Sequence, residues 1–571
     1  MIHQRAKELS EKSYSIFEAT NKFLRIYFHT LPNNCIIYKL YDCNYGDLMK
    51  SKGNILWIDD EIEVLKPHII LLEKRGYDVD KATNGEDAIE LVKTKHYDLI
   101  FLDENMVGLS GLDTLPELKK IDAASAVVMV TKNEAESVME EAIGLKIDDY
   151  LTKPVNPAQI LLACKKFLET ERIETEKFTQ DYMKGFSEVS RQLMGPMVWN
   201  DWVDIYKKLV QWSFELDKHP DSGLKETLSN QWSDSNSYFS KFVEENYVNW
   251  INSEEKEELP LFSPDILDAY LWEEVEKDGP TFLFVVDCMR YDQWLLFEEV
   301  LRQYYTFDTN FYCSILPTAT PYCRNSLFAG LFPSDIKKYY PQYWQVEVNS
   351  EEHTQNKFEK ELMQSWIQRR RIKLKNDPVY IKIFDTDYGK RVEKDILKFA
   401  NNDLTAIVLN AVDMIAHSRS DYAILKEIAP DESAYRSLTS SWFKHSSFLG
   451  MLKQLSNVKD AKIIITTDHG SIRCLRGVKV LGDRDTSTSL RYKFGKNVKA
   501  DPKMAMQISN PEDIKIPKEG ITVNNIIAKE DYYFVYPTDY HHYLNKYRDS
   551  FQHGGISMEE MIIPVIKLKS R

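Results

Sequence analysis

Four places in the chain hold acid and imidazole side chains that could share metal ions. They are Asp287, the pair Asp413 and His417, the run Asp468–His469–Gly470, and His553–Gly554–Gly555. Carboxylate oxygen and imidazole nitrogen together suit Zn²⁺ better than Mg²⁺. Asp413 and His417 stand one helical turn apart, which puts both on one side of a helix. Asp468 and His469 would point apart in extended chain but converge at a strand-end turn. Gly470, Gly554 and Gly555 permit the tight backbone that close metal approach needs. These three carboxylates and three imidazoles are enough for two ions with three protein ligands each. Each ion then keeps an open position, as catalysis requires. Such a site also needs a nucleophile. The loop Ile315–Pro321 (ILPTATP) offers Thr320 first and Thr318 second. A Thr hydroxyl is a poor nucleophile at neutral pH and a good one when metal-activated; without metals, Thr before Pro reads as a turn residue.

A second constellation lies nearer the N-terminus. Asp59–Asp60, Asp103, Thr131 and Lys153–Pro154 each follow a short apolar run. Clustered carboxylates repel one another unless a hard cation such as Mg²⁺ sits among them. Magnesium can bridge Asp103 and a phosphate. Lys153 can pair with the resulting acyl phosphate, and the Thr131 hydroxyl can bond to it. A single strand-end Asp would read as a solvated turn former; five such positions together do not.

The elements that must position these groups are legible as alternating patterns. Asn54–Ile58, Leu99–Leu102, Ala126–Val130 and Tyr150–Leu151 are strand-like, with helical patterns at Glu61–Gly76 and Gly85–Lys95. That alternation predicts a parallel doubly wound sheet, with ligands beyond the carboxyl ends of its strands. A second α/β unit follows the same logic. Thr281–Val286 ends at Asp287, Leu404–Leu409 leads into Asn410–Asp413, and Lys462–Thr467 ends at Asp468. Met561–Ile566 is a late strand whose Pro564 predicts an edge or a bulge. Between the two units Phe186, Val189, Leu193, Trp202, Ile205, Leu209 and Trp212 belong to a helical period, which predicts a small bundle with its Trp stripe in the core. No helix there carries Arg or Lys beside Asn or Gln on one face, against a helix-turn-helix reader.

Composition bounds the rest. The chain has 571 residues, room for about three to five domains. Its 43% hydrophobic and 28% charged residues exclude a mainly disordered chain. A net charge of −15 argues against general duplex-DNA binding, although a local basic groove is compatible with it. No apolar run is long enough to span a membrane. Seven scattered cysteines, none in a C-x-x-C pair, point to a reducing cytoplasm. Charged residues interrupt FLRIYFH in the first 48 residues, against a secretory signal. Met49 reads as a natural start, so residues 1–48 read as a leader.

The first constellation in chain order resembles a response-regulator receiver domain. Asp59–Asp60, Asp103, Gly111, Thr131, Tyr150 and Lys153–Pro154 match that family in order and spacing. Val107 departs from it, standing where the family has Pro. The resemblance implies that Asp103 is the phosphoacceptor, with Mg²⁺ held near Asp59, Asp60, Asp103 and Asn105. Thr131 and Tyr150 would be the switch pair, with Lys153 beside them. The C-terminal part resembles the PglZ family of the alkaline phosphatase superfamily through VVDCMR, LPTATP, NAVDMIAH, TTDHG and QHGG…EEMIIPVI. This implies one Zn²⁺ on Asp287, Asp468, His469 and Thr320, and another on Asp413, His417 and His553, with Thr320 bridging as nucleophile. Arg324 is expected either to grip phosphate oxygens or to form a structural ion pair.

The whole arrangement is similar to PorX-type response regulators. The expected fold is multidomain α/β: a leader at 1–48, a CheY/flavodoxin-like receiver at 49–170, a helical bundle linker at 171–260 and an alkaline-phosphatase-like PglZ domain at 261–571. The resemblance implies a cognate histidine kinase, an extracytoplasmic-function sigma factor or a secretion-system component as partner, phosphorylation-dependent homodimers, and no membrane insertion. It also implies a zinc-dependent phosphodiesterase acting on oligonucleotides, cyclic ones included, tied to type IX secretion and gliding motility. A sigma-factor-binding scaffold with a structural metal site, and a phosphomonoesterase or sulfatase-like hydrolase, are the alternatives.

Overall fold

Short buried strands that stop at charged residues organise both halves of the chain. The structure is a computed structural model; it describes residues 51–132, 143–144, 146–218, 222–254, 259–345, 356–482, 489–518, 523–537 and 540–571. The expected leader lies outside the described residues. The chain divides into two units, one ending at Glu174 and one running from Thr175 to Arg571.

In the first unit, β1 (Asn54–Ile58), β2 (Asp78–Ala82), β3 (Leu99–Asp103), β4 (Ala126–Thr131) and β5 (Asp149–Thr152) form one parallel sheet in the order β2-β1-β3-β4-β5. This is the doubly wound order whose switch point lies between β1 and β3. Asn84 and Ser110 cap the helices Gly85–Thr94 and Gly111–Ile121 by accepting backbone N–H groups, and Asn156 with Gln159 closes a capping box on Pro157–Cys164. The helix expected from Glu61 begins later, at Lys66. Gly111 has a steric reason: a Cβ there would stand 2.2 Å from the Asp103 carbonyl oxygen.

The second unit begins with three helices, Thr170–Gln192, Trp199–Lys218 and Ser222–Asn252, the first of which starts before the division. Gly185 lets Trp212 approach the first helix, since a Cβ there would lie 2.4 Å from the indole. Trp202 is buried edge-on against Phe239 at 5.3 Å. These helices form the expected linker bundle, and their apolar face is continuous with the core of the following domain. The reason is that the stripe reaches beyond the bundle: Tyr206 lies 6.1 Å from Tyr291, and the Tyr247 hydroxyl accepts the Leu316 N–H at 2.8 Å.

The main sheet of this unit contains β6 (Thr281–Val286), β7 (Tyr305–Cys313), β8 (Val379–Ile383), β9 (Leu404–Leu409), β10 (Lys462–Thr466) and the last strand, Ile562–Ser570. The latter two pair antiparallel, β7 pairs antiparallel with the last strand, and β8, β9, β6 and β10 run parallel. The last strand therefore lies inside the sheet, correcting the edge expected from Pro564. Pro564 faces Phe311 on β7, while pairing with β10 starts only at Val565, so the missing N–H breaks no pairing on that side. Smaller strands complete the unit: β11 (Ile472–Cys474), β12 (Arg476–Lys479), β13 (Tyr492–Lys496), β14 (Ala505–Ile508), β15 (Val523–Ala528), β16 (Tyr532–Val535) and β17 (Ser550–Gln552), with the last strand as β18. Pairing of β11 with β17 sets Ile472 opposite Gln552, which carries the His553 loop to the end of β10. No described helix is long and apolar enough to cross a membrane.

Trp202→Ala should destabilise the second unit by about 3–5 kcal/mol, the range for truncating a buried Trp. Urea unfolding followed by far-UV dichroism measures it, and a loss below about 1 kcal/mol would contradict the shared core.

Candidate functional site

In the first unit the ends of β1 and β3 bring Asp59, Asp60 and Asp103 together, with ligand atoms within 4.8 Å of one another. Lys153 Nζ lies 2.8 Å from both Asp59 Oδ2 and Asp103 Oδ2. Burial and the carboxylates of Asp59 and Asp60 raise the Asp103 carboxyl above its ordinary value, against the pull of Lys153. Burial works to lower Lys153, yet its bonds to Asp103 and Asp59 hold it above its usual value. Thr131 ends β4 and donates to Glu104, a partner the sequence reading did not include. Tyr150 on β5 is 42% exposed, and Asn105 is also exposed.

In the second unit the nucleophile candidate opens a helix. Thr320 is the first residue of Thr320–Ala329 and is buried. Its Oγ1 lies 3.0 Å from His469 Nε2 and 3.5 Å from Asp287 Oδ1. Asp287 follows β6, and Asp468 and His469 follow β10, so parallel neighbours deliver them to one point. Cys288 takes a left-handed backbone (φ 64°), and its N–H donates to Asp468 Oδ1 at 3.3 Å. His469 Nε2 stands 3.9 Å from Asp287 Oδ1 and 3.7 Å from Asp468 Oδ2.

The helix Ala411–Asp421 supplies Asp413 and His417, and the chain after β17 supplies His553. His417 Nε2 is 3.2 Å from His553 Nε2 and 3.2 Å from Asp413 Oδ1; His553 Nε2 is 3.7 Å from that same oxygen. The His469 and His553 rings stack at 4.3 Å and join the two groups. The first group is buried, whereas the His417 side chain is 42% exposed and opens the second group outward.

The donor atoms fit metal ions. A tetrahedral ion with bonds of about 2.0–2.1 Å separates its ligand atoms by about 3.3–3.4 Å. The Asp413–His417–His553 separations bracket that value. Asp468 Oδ2 is buried and accepts no hydrogen bond, the condition in which a carboxylate calls for a cation. Burial lowers His469 and so favours its neutral, ligating form. Burial opposes ionisation of Asp413, but His417, His553 and His469 hold it well below the carboxylate range. Burial and Asp468 and Asp413 push Asp287 up, against the pull of Arg324.

Arg324 takes the ion-pair alternative. Its Nη1 lies 2.6 Å from Asp287 Oδ2, and its Nε donates to Glu359 Oε1 at 2.7 Å. It is not carried forward as a phosphate ligand, because two buried carboxylates already engage its fork. Thr318 is also excluded as nucleophile. Its hydroxyl accepts the Gly554 N–H at 3.1 Å and donates to the Gly555 carbonyl at 2.8 Å, so it ties down the His553 loop. Asn410, which donates to Asp287 Oδ2 at 2.7 Å, went unrecognised; its place at the end of β9, beside β6, was the available signal. Glu359 gave no local signal at all.

These two centres, an acidic cluster beside a lysine and a paired set of acid and imidazole groups, fit a response regulator with an alkaline-phosphatase-like effector. Residues 55–165 match the response regulator receiver domain, 172–251 the PorX response regulator linker domain, and 271–568 the BREX system PglZ alkaline phosphatase-like domain. The chain belongs to the PglZ alkaline phosphatase-like family and has the PorX-type order of domains. Over 128 residues it is 32% identical to the uncharacterized transcriptional regulatory protein YkoG of Bacillus subtilis, covering 22% of this chain and 55% of that one. Over 124 residues it is 35% identical to the alginate biosynthesis transcriptional regulatory protein AlgB of Pseudomonas syringae, covering 22% and 28%. The chain thus spans about a quarter to a half of the length of these curated relatives. A CheY-like receiver domain protein from Methanospirillum hungatei is similar at 25% identity and a TM-score of 0.20, covering 20% of this chain and 94% of that structure.

Thr318→Val should cost about 1–3 kcal/mol by leaving a buried N–H without its acceptor. Urea unfolding of the metal-free chain measures this; a change within about 0.5 kcal/mol, as at an uninvolved surface position, would remove Thr318 from the loop's support.

Proposed function

We propose that this protein is a two-component response regulator in which phosphorylation of Asp103 controls dimerisation and a dinuclear zinc phosphodiesterase acting on oligonucleotides, cyclic ones included. We place it with type IX secretion and gliding motility, downstream of a histidine kinase in the cytoplasm, with a sigma factor or secretion component as further partner. The observation that carries the catalytic reading is the Thr320 hydroxyl, 3.0 Å from His469 Nε2, among two groups of converging acid and imidazole ligands.

Asp287, Asp468 and His469 would hold one ion beside Thr320, and Asp413, His417 and His553 the other. When bound, these ions supply nucleophile activation and charge neutralisation on the phosphoryl oxygens. The chain's own residues supply the alignment. His469 and Asp287 fix the Thr320 oxygen, and Arg324 and Asn410 fix Asp287. Substrate approaches over the exposed side of His417. The Thr320 hydroxyl gives its proton to solvent water and its oxygen forms a bond to phosphorus, while the bond to the opposite ester oxygen breaks and that oxygen takes up a proton from water. A water molecule then attacks the threonyl phosphate, the bond between phosphorus and the Thr320 oxygen breaks, and a proton of that water returns to the Thr320 oxygen. In the receiver, Asp103 accepts the phosphoryl group with Mg²⁺ near Asp59, Asp60 and Asn105, and Lys153 neutralises the added charge. Thr131 and Tyr150 then report it.

Thr320→Ala should retain two zinc equivalents by elemental analysis and lose bis(p-nitrophenyl) phosphate turnover by roughly 10³-fold or more. Persistent hydrolysis with both ions bound would refute Thr320 as nucleophile. Faster wild-type turnover of p-nitrophenyl phosphate than of the diester would favour the monoesterase alternative.

Asp103→Ala should take up no phosphoryl group from acetyl phosphate, as read by intact-protein mass. Unchanged stoichiometry would exclude Asp103 as phosphoacceptor.

A further inference from the structure

We infer that Asn236, on the bundle helix Ser222–Asn252, is a positioning residue for the His553 metal ligand, acting through the turn Ser557–Glu560. This rests on the dinuclear reading and adds to it a route by which the bundle regulates that centre.

Asn236 is buried, at 4% exposure. Its amide uses both ends on residues more than 300 positions away. Nδ2 donates to Glu559 Oε2 at 2.9 Å, and Oδ1 accepts the Met558 N–H at 2.8 Å. The clamp therefore fixes both a backbone group and a side chain of one short turn. That turn in turn fixes the metal loop. Glu560 Oε1 accepts the Gly555 N–H at 2.8 Å, two residues past His553. Glu560 Oε2 accepts the Ser557 hydroxyl at 2.7 Å, and the Ser557 oxygen caps the turn by accepting the Glu560 N–H at 3.2 Å. Arg491 Nη2 lies 2.5 Å from Glu560 Oε2, and both side chains are fully buried. From the opposite side Thr318 holds Gly554 and Gly555. The Glu560 carbonyl also accepts the Gly470 N–H at 3.2 Å, next to His469.

His553 is thus at the end of a short, largely buried chain of bonds that begins on the bundle. Neither glycine of the loop can take a side chain: a Cβ at Gly555 would stand 2.2 Å from the Arg491 guanidinium, and Gly554 has φ +114°. With its backbone so confined, the loop follows the turn that braces it. The clamp also borders a cavity of about 560 Å³, lined by Asn236, Glu559, Trp232 and Arg436 among others. Asn236 therefore has open space on one side. Partners that bond a metal ligand directly typically govern about 10–100-fold in metal affinity, and the clamp reaches His553 through the loop it braces.

The test uses the full-length chain with Zn²⁺ and Co²⁺, comparing two variants. Asn236→Leu removes both bonds of the clamp. Asn236→Asp combined with Glu559→Gln reverses the donor and acceptor of one bond and keeps both. Chelator competition gives the affinity of each metal equivalent, the Co²⁺ absorption band reports the ligand field, and far-UV dichroism reports the bundle. We expect Asn236→Leu to weaken one metal equivalent by roughly 10–100-fold and shift the Co²⁺ band, with helix content unchanged. The double variant should recover wild-type affinity. Wild-type affinity in Asn236→Leu overturns the inference. So does a double variant that fails as badly as Asn236→Leu while keeping its helix content, and so does equal loss of both metals with loss of helix. A wild-type chain that binds two metals but hydrolyses no phosphodiester removes the proposed activity and leaves the clamp to be judged on affinity alone. A wild-type chain that binds fewer than two overturns both.

Discussion

Carboxylates gathered away from water are the constraint around which this molecule is arranged. Two like charges 4 Å apart repel by about 4 kcal/mol at the effective dielectric of a protein surface. Asp287 and Asp468 are buried within one group, and Asp413 lies close enough to raise both. Protein cations meet only part of this demand. Arg324 reaches Asp287 at 2.6 Å but Asp468 only at 3.7 Å, and Glu359 draws its other side away. Truncating one partner of such a buried pair commonly costs 3–5 kcal/mol. The ligand group therefore depends on Glu359, at the start of the helix Glu359–Arg370, which acts on it through Arg324.

The two units solve the same problem with different counter-charges. In each, parallel strands deliver acids to the carboxyl end of a sheet, where loops rather than strand pairing decide the final geometry. In the first unit Lys153 sits between Asp59 and Asp103 at 2.8 Å from each. A lysine on a flexible stem can turn from one carboxylate toward a new anion beside it. In the second unit the counter-charge is an arginine held by a planar fork, and the remaining ligands are imidazoles. One arrangement is built to change state and the other to stay rigid.

Much of this was legible because strand-end chemistry is local. NILWI-DD, LIFL-D, TFLFVV-D and KIIITT-DH each show an apolar run and the group it presents within one short window. The four-residue spacing of Asp413 and His417 was equally local. What failed depended on contacts between distant segments. Pro564 suggested an edge because no local pattern shows that β7 adds outside β18. Thr318 and Thr320 look alike in ILPTATP; only Gly554 and Gly555, more than 230 residues on, distinguish them. Glu359 and Asn236 carry no sequence mark because their partners are set by tertiary packing. The linker bundle itself was legible from its apolar stripe, but that stripe shows only that something is buried, not that the following domain covers it.

Charge gives the last step. The chain carries −15 overall, and the paired acid and imidazole groups hold three carboxylates beside the positive charge of Arg324. Left so, they repel a phosphodiester. On the proposed reading, two divalent ions there would reverse the local sign. Attraction for phosphate would then centre on the few ångströms around Thr320, and metal occupancy would be a condition for substrate binding as well as for chemistry. Control over the His553 loop would therefore govern both steps at once.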